Sequence, residues 1–93
     1  MIFEWDAEKA ATNLRKHGVG FEEARTVFND LLARIFEDET HSSDERREII
    51  IGHSLQGRLL LVCFAERTEV IRIYSARRAT PRERKDYEES AIQ

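Results

Sequence analysis

Between Glu66 and Lys85 the chain carries seven basic side chains, Arg67, Arg72, Arg77, Arg78, Arg82, Arg84 and Lys85, against three acids, Glu66, Glu69 and Glu83. Such a local excess suits a phosphate-bearing ligand. Six of the seven are Arg, whose planar fork matches phosphate better than an ammonium does. A strand here sorts Val70, Arg72, Tyr74, Ala76 and Arg78 onto one face and Ile71, Ile73, Ser75 and Arg77 onto the other by its two-residue period. The first face then sets cations beside an aromatic ring, an arrangement that binds phosphate and stacks an unpaired base. The competing reading is ordinary solvated surface, with Arg72 and Arg78 paired to Glu66, Glu69 or Glu83 and Tyr74 covering the sheet. Periodicity leaves both open. Arg77, which follows two core positions at the strand's end, is expected to turn into a cleft between the sheet and the next helix.

The elements that must position these groups follow from local signals. Ile2 to Trp5 reads as a short apolar opening or edge strand, and Asp6 sits where a helix N-cap belongs. The first helix is expected to run to His17, with Ala10, Asn13, Leu14 and His17 on one face and Gly18 as the left-handed stop. Phe21, Ala24, Val27 and Phe28 predict a second, shorter helix. Strands are predicted at Leu31 to Glu37, Arg46 to His53, Arg58 to Ala65 and Glu69 to Arg77, with Asp38 to Glu45 as a solvated loop. The short links between the last three favour antiparallel hairpins. Thr80-Pro81-Arg82-Glu83 is a capping box with Pro at the first helical position, so a carboxy-terminal helix starts there. The expected architecture is α+β: two N-terminal helices, a four-stranded antiparallel meander and one C-terminal helix, with the helices on one face of the sheet.

With 93 residues, 41% hydrophobic and 35% charged, residues 1–93 are expected to form one domain, and a two-domain enzyme is excluded. The net charge of −3 argues against a uniformly basic nucleic-acid coat. That average conceals an acidic stretch over residues 1–57 and a basic one over 58–93. A single cysteine, Cys63 in an apolar run, permits no intramolecular disulfide and is expected to be buried and inert. The apolar runs fall short of a membrane span and the amino terminus lacks a secretory signal, so a cytoplasmic protein with no membrane partner is expected. His41 and His53, with Glu37, Asp38 and Glu39, show no zinc spacing, and no metal or cofactor is expected.

A further set of motifs runs in order along the chain: Phe3-Glu4-Trp5-Asp6 with Lys9 and Asn13, Lys16-His17-Gly18-Val19, Phe21-Glu22-Glu23-Ala24, Val27-Phe28, Asp30, Arg47, Ile51-Gly52, Gly57-Arg58 and Leu60. The run Ile71 to Thr80 with Glu83-Arg84 and Tyr87 completes it. By these residues the chain resembles, over nearly its whole length, the BrnT toxins of prokaryotic type II toxin–antitoxin modules. The resemblance implies a RelE-like fold and ribonuclease activity that slows translation and growth. It also implies a cognate BrnA-like antitoxin as partner, RNA as substrate, and operator DNA bound only through the antitoxin complex. The family commonly has Ile at the place of Tyr74, so the resemblance lends that Tyr no catalytic role.

Metal-independent RNA cleavage needs a base for the attacking 2′-hydroxyl, an acid for the leaving 5′-oxygen and cations for the phosphoryl oxygens. On that chemistry Arg77 is the first candidate cation, with Arg58 and Arg72 behind it. His17 is the first proton-transfer candidate, because an imidazole exchanges a proton near neutral pH; Lys16 and Glu83 are the alternatives. Arg72, Tyr74, Arg78 and Arg84 are the candidate RNA-binding residues. Competing roles are carbonyl capping by His17 at the helix end and the capping box for Glu83. Phe3 and Trp5 can stack bases but equally serve as core. A non-catalytic module that captures a partner or operator is the alternative function, and a metal nuclease a further one.

Overall fold

The computed structural model describes residues 1–39 and 45–92, so His41 and most of the expected Asp38 to Glu45 loop lie outside the described residues. In chain order the elements are β1 (Ile2–Glu4), α1 (Ala7–His17), α2 (Phe21–Arg25), a 3-10 turn (Thr26–Asn29), β2 (Arg34–Glu37), β3 (Glu48–His53), β4 (Leu59–Arg67), β5 (Val70–Arg78) and α3 (Pro81–Ile92). The α+β class holds, but the sheet is five-stranded and mixed, in the order β1-β5-β4-β3-β2. β2 to β5 form the expected antiparallel meander, while β1 joins its far edge parallel to β5, with Phe3 opposite Ile71. The opening strand crosses to β5 because its aromatic neighbours bury there: Phe3 meets Phe28 at 5.2 Å, Phe28 meets Phe64 at 5.0 Å, and Trp5 meets Phe21 at 5.9 Å, all edge-on. Phe3 and Trp5 thus serve the core.

The helices do not share one face. β4 reads Leu-Leu-Leu-Val-Cys-Phe and is buried on both sides, so the sheet needs two covers. On one face Leu60, Val62, Phe64, Ile71 and Ile73 pack with Val19, Phe21, Ala24 and Val27, which belong to α2 and the residues flanking it. On the other, Ile51, Leu59 and Leu61 pack with Tyr87 of α3. Gly52 is required where β3 crosses the 3-10 turn, since a Cβ there would stand 2.9 Å from Ala33 Cβ and 3.0 Å from Asp30 Oδ2. The second helix is shorter than expected, giving way to the 3-10 turn after Arg25, and the first meander strand starts at Arg34 rather than Leu31. Here Asp30 accepts from the backbone N–H groups of Leu32 and His53, which turns the chain before the strand begins.

β5 carries the departure with most bearing on the site. Cys63 pairs with Ser75 but Phe64 pairs with Ile73, so Tyr74 is an extra residue, a β-bulge. The bulge shifts the alternation by one. Ile71, Ile73 and Ala76 therefore face the α1–α2 core, Arg78 follows them, and Arg77 opposite Leu61 turns to the α3 side. Strict alternation had placed Ala76 and Arg78 with Arg72 and Tyr74; the bulge overturns that grouping.

Candidate active site

α1 begins as expected: Asp6 Oδ1 accepts from the N–H groups of Glu8 and Lys9, and Gly18 ends the helix at φ 69° with its N–H on Leu14 O. Its packing face differs. Leu14 is exposed, and the helix docks through the buried amide of Asn13 instead. Asn13 Nδ2 donates to Ala76 O at 2.8 Å and to Val19 O at 2.9 Å, while Oδ1 accepts from Ala76 N–H at 3.1 Å. The amide thus takes the place of a neighbouring strand just past the bulge, where β1 has already ended. One turn later stands His17, beside the segment Ser75 to Arg77.

His17, Ser75, Ala76 and Arg77 line a cleft of about 190 Å³ whose floor includes Leu61 and Cys63. The His17 imidazole is exposed and, among the described residues, makes no side-chain hydrogen bond or ion pair, so it does not cap carbonyls. Arg77 enters the same cleft, held end-on by Glu83: Nη1 donates to Oε1 at 2.7 Å and Nη2 to Oε2 at 2.8 Å. Nη1 also donates to Arg78 O at 3.3 Å. Among the described residues this leaves the Nε–H and one Nη2–H of Arg77 without an acceptor. Those two form the side edge of the guanidinium, the edge that grips an oxyanion bidentately. The cleft also holds the Cys63 thiol, only half-buried rather than enclosed; burial, with Asp38 close by, pushes it up to about 11, which keeps it a thiol.

Glu83 is doubly committed. It accepts the Thr80 N–H at 2.9 Å while Thr80 Oγ1 accepts the Glu83 N–H at 3.1 Å, the capping box expected from sequence. The Arg77 guanidinium, with that N–H, holds its carboxyl well below 4.5, at about 2. It carries no proton to donate near neutral pH. Because the folded value lies below the unfolded one, Glu83 stabilises the fold fully above about pH 4.5 and loses that contribution as pH falls toward 2. Urea unfolding at pH 7, 4 and 3 is therefore expected to show the gap between the native chain and Glu83→Gln shrinking as pH falls; a constant gap would contradict the pairing.

Arg58 is not in the cleft. Its Nε donates to Glu23 Oε2 at 2.9 Å, Nη2 reaches Glu23 Oε1 and also donates to Gly18 O at 3.0 Å, and Ser54 Oγ donates to the same carboxylate at 2.7 Å. Glu23 is buried, and Arg58 brings its pKa down against desolvation. This network ties α2 to the β3–β4 turn. Arg72 pairs with Glu4 at 3.3 Å, not with the acids expected of it. Tyr74 donates to Glu45 at 2.5 Å and has Arg47 stacked on its ring at 3.7 Å, with Lys9 at 5.6 Å and Arg72 at 5.8 Å from the ring centre. Arg78 lies on the opposite side from Arg77, near Glu23, and Lys16 and Arg84 are exposed. Asn13 and Glu23 were the residues whose roles sequence reasoning missed. In the sequence Asn13 had a place only on the helix face it shares with Ala10, Leu14 and His17 and in the family likeness. His53 lies 3.7 Å from Asp30, and among the described residues no three His, Cys, Asp or Glu side chains cluster as metal ligands do. No helix among the described residues is long and apolar enough to cross a membrane.

Residues 5–83 match the family model described as ribonuclease toxin, BrnT, of type II toxin–antitoxin system. Among solved structures, the crystal structure of the Brucella abortus ribonuclease toxin BrnT is similar over 86% of this chain and 99% of its own, with a TM-score of 0.65 and 25% sequence identity. No curated protein matches the chain.

Proposed function

Because the chain belongs to the BrnT family of ribonuclease toxins of type II toxin–antitoxin systems, we propose that it cleaves RNA in the cleft between His17 and Arg77 without a metal ion. The observation that carries this reading is the convergence of a free imidazole and an open guanidinium edge on one cleft. The 2′-oxygen attacks phosphorus and His17 takes its proton. The Arg77 side edge binds the phosphoryl oxygens as their charge grows. The P–O5′ bond breaks, and the 5′-oxygen takes a proton from solvent at the open cleft. The products are a 2′,3′-cyclic phosphate and a 5′-hydroxyl. Glu83 is a positioning residue that holds the far end of the Arg77 fork. Lys16 and Arg72 contribute charge rather than protons. Tyr74, whose ring face Arg47 already covers, is a wall and not a stacking platform.

The RelE-like grouping, a cytoplasmic site of action, neutralisation by a cognate BrnA-like antitoxin and operator repression by the toxin–antitoxin complex complete the proposal, on the strength of family membership. The purified chain is expected to cut an oligoribonucleotide at an undiminished rate in excess chelator, and to leave intact the same oligonucleotide with a single 2′-deoxy sugar at the cut position. Loss of activity in chelator, or cleavage at the deoxy position, would overturn the mechanism.

A further inference from the structure

A cleft that cuts a polymer must also hold the nucleotides that flank the cut, and two surfaces lead away from it. One is a groove of about 410 Å³ between α1 and the bulge of β5, lined by Lys9, Thr12 and Lys16 on one side and Tyr74 on the other; it shares both His17 and Ser75 with the cleft. The second lies between α3 and β2–β3, about 280 Å³, and shares only Leu61 with the cleft. Its walls are apolar, from Phe36, Ile51 and Tyr87, Asp86 stands beside Arg34, and Glu83 is already tied to Arg77. A phosphodiester backbone finds no excess of positive charge there and has no apolar surface to offer in return.

The α1 groove has the opposite character. Lys9 and Lys16 lie seven positions apart, two helical turns on one face and about 10 Å along the axis. Among the described residues neither forms an ion pair, although Lys9 lies within reach of the Tyr74 ring. The groove's acids, Asp6 and Glu8, stand at the amino-terminal end of α1, and the Asp6 carboxylate is engaged by the helix N–H groups it caps. Behind the Tyr74 wall the charges offset one another, with Arg47 on its ring, Glu45 on its hydroxyl and Arg72 paired to Glu4, so the lysines of α1 carry the groove's positive charge.

We infer that single-stranded RNA leaves the cleft along α1, with a flanking phosphate held by Lys9 and Lys16 against the Tyr74 wall, and that the arginines of α3 lie off its path. The inference rests on RNA being cut between His17 and Arg77. Its test is the KM–kcat split on a twelve-residue oligoribonucleotide at several salt concentrations. Lys9→Gln is expected to raise KM about five-fold, leave kcat within two-fold, and reduce the slope of log KM against log salt by about 0.7, the value of one phosphate contact on a single strand. Lys9→Arg is expected to restore all three, and thermal melting of both variants to match the native chain. Arg82→Gln with Lys85→Gln is expected to leave KM unchanged. An unchanged KM and salt slope in Lys9→Gln, or the larger effect in the α3 pair, would overturn the α1 path. Full activity in Arg77→Ala, measured alongside, would instead sink the cleft reading itself.

Discussion

Arg77→Ala is expected to lower kcat/KM for RNA cleavage by about 10²–10³-fold, the size of effect seen when one preorganised donor to a developing oxyanion is removed. The side edge of the guanidinium is the part of the cleft shaped to meet a phosphoryl group, because Glu83 occupies only its end. The fold should tolerate the loss. Glu83 keeps the Thr80 N–H, and the Arg77–Glu83 pair is partly exposed, 42% and 30% for the two side chains, where ion pairs contribute little to stability. Arg77→Lys should recover only part of the rate, since an ammonium cannot serve carboxylate and phosphate on two edges at once. Initial rates with a defined oligoribonucleotide, read beside a thermal melt, measure both. Near-native cleavage by a folded Arg77→Ala chain would remove Arg77 from the mechanism.

Asn13→Ala is expected to cost about 3 kcal/mol of stability and to lower the melting temperature by roughly 10 °C or more. The substitution strands three buried backbone groups: the N–H and C=O of Ala76 and the C=O of Val19, residues 1% and 0% exposed. Asn13→Asp should do no better, since a carboxylate can accept from Ala76 N–H but donates to neither carbonyl and buries a charge. The same contact sets His17 against Ser75 and Arg77, so activity should fall further than the folded fraction does. Denaturant unfolding within about 0.5 kcal/mol of the native chain, the ordinary range for surface changes, would show that water or a shifted helix replaces the amide.

What could be read along the chain were the features whose causes are local. The capping box at Thr80 and Glu83, the Asp6 cap and the Gly18 stop depend on neighbours within about one helical turn, and each forms as its residues dictate. The meander was legible for the same reason, because short links leave adjacent strands little choice of partner. β1 could be read as an edge strand, but its partner could not, since the parallel pairing with β5 depends on aromatic packing against residues far along the chain. Glu23 and Arg58 stand 35 positions apart, and nothing in either's neighbours announces the other.

By itself the amino-acid sequence determined the α+β class, the antiparallel core of the sheet, the caps and stops of its helices, and the presence of His17 and a cluster of arginines. Arg77 at the strand's end was the expected cleft arginine, and tertiary structure decided how it comes to face that way. One extra residue at Tyr74 turns Arg77 and Arg78 to opposite faces from those that strict alternation assigns, and the Asn13 amide then fixes the His17 end of α1 against that strand. A bulge is a choice of register between β4 and β5, settled by the packing of Ala76 into the core, and register is a property of two strands together and not of either alone.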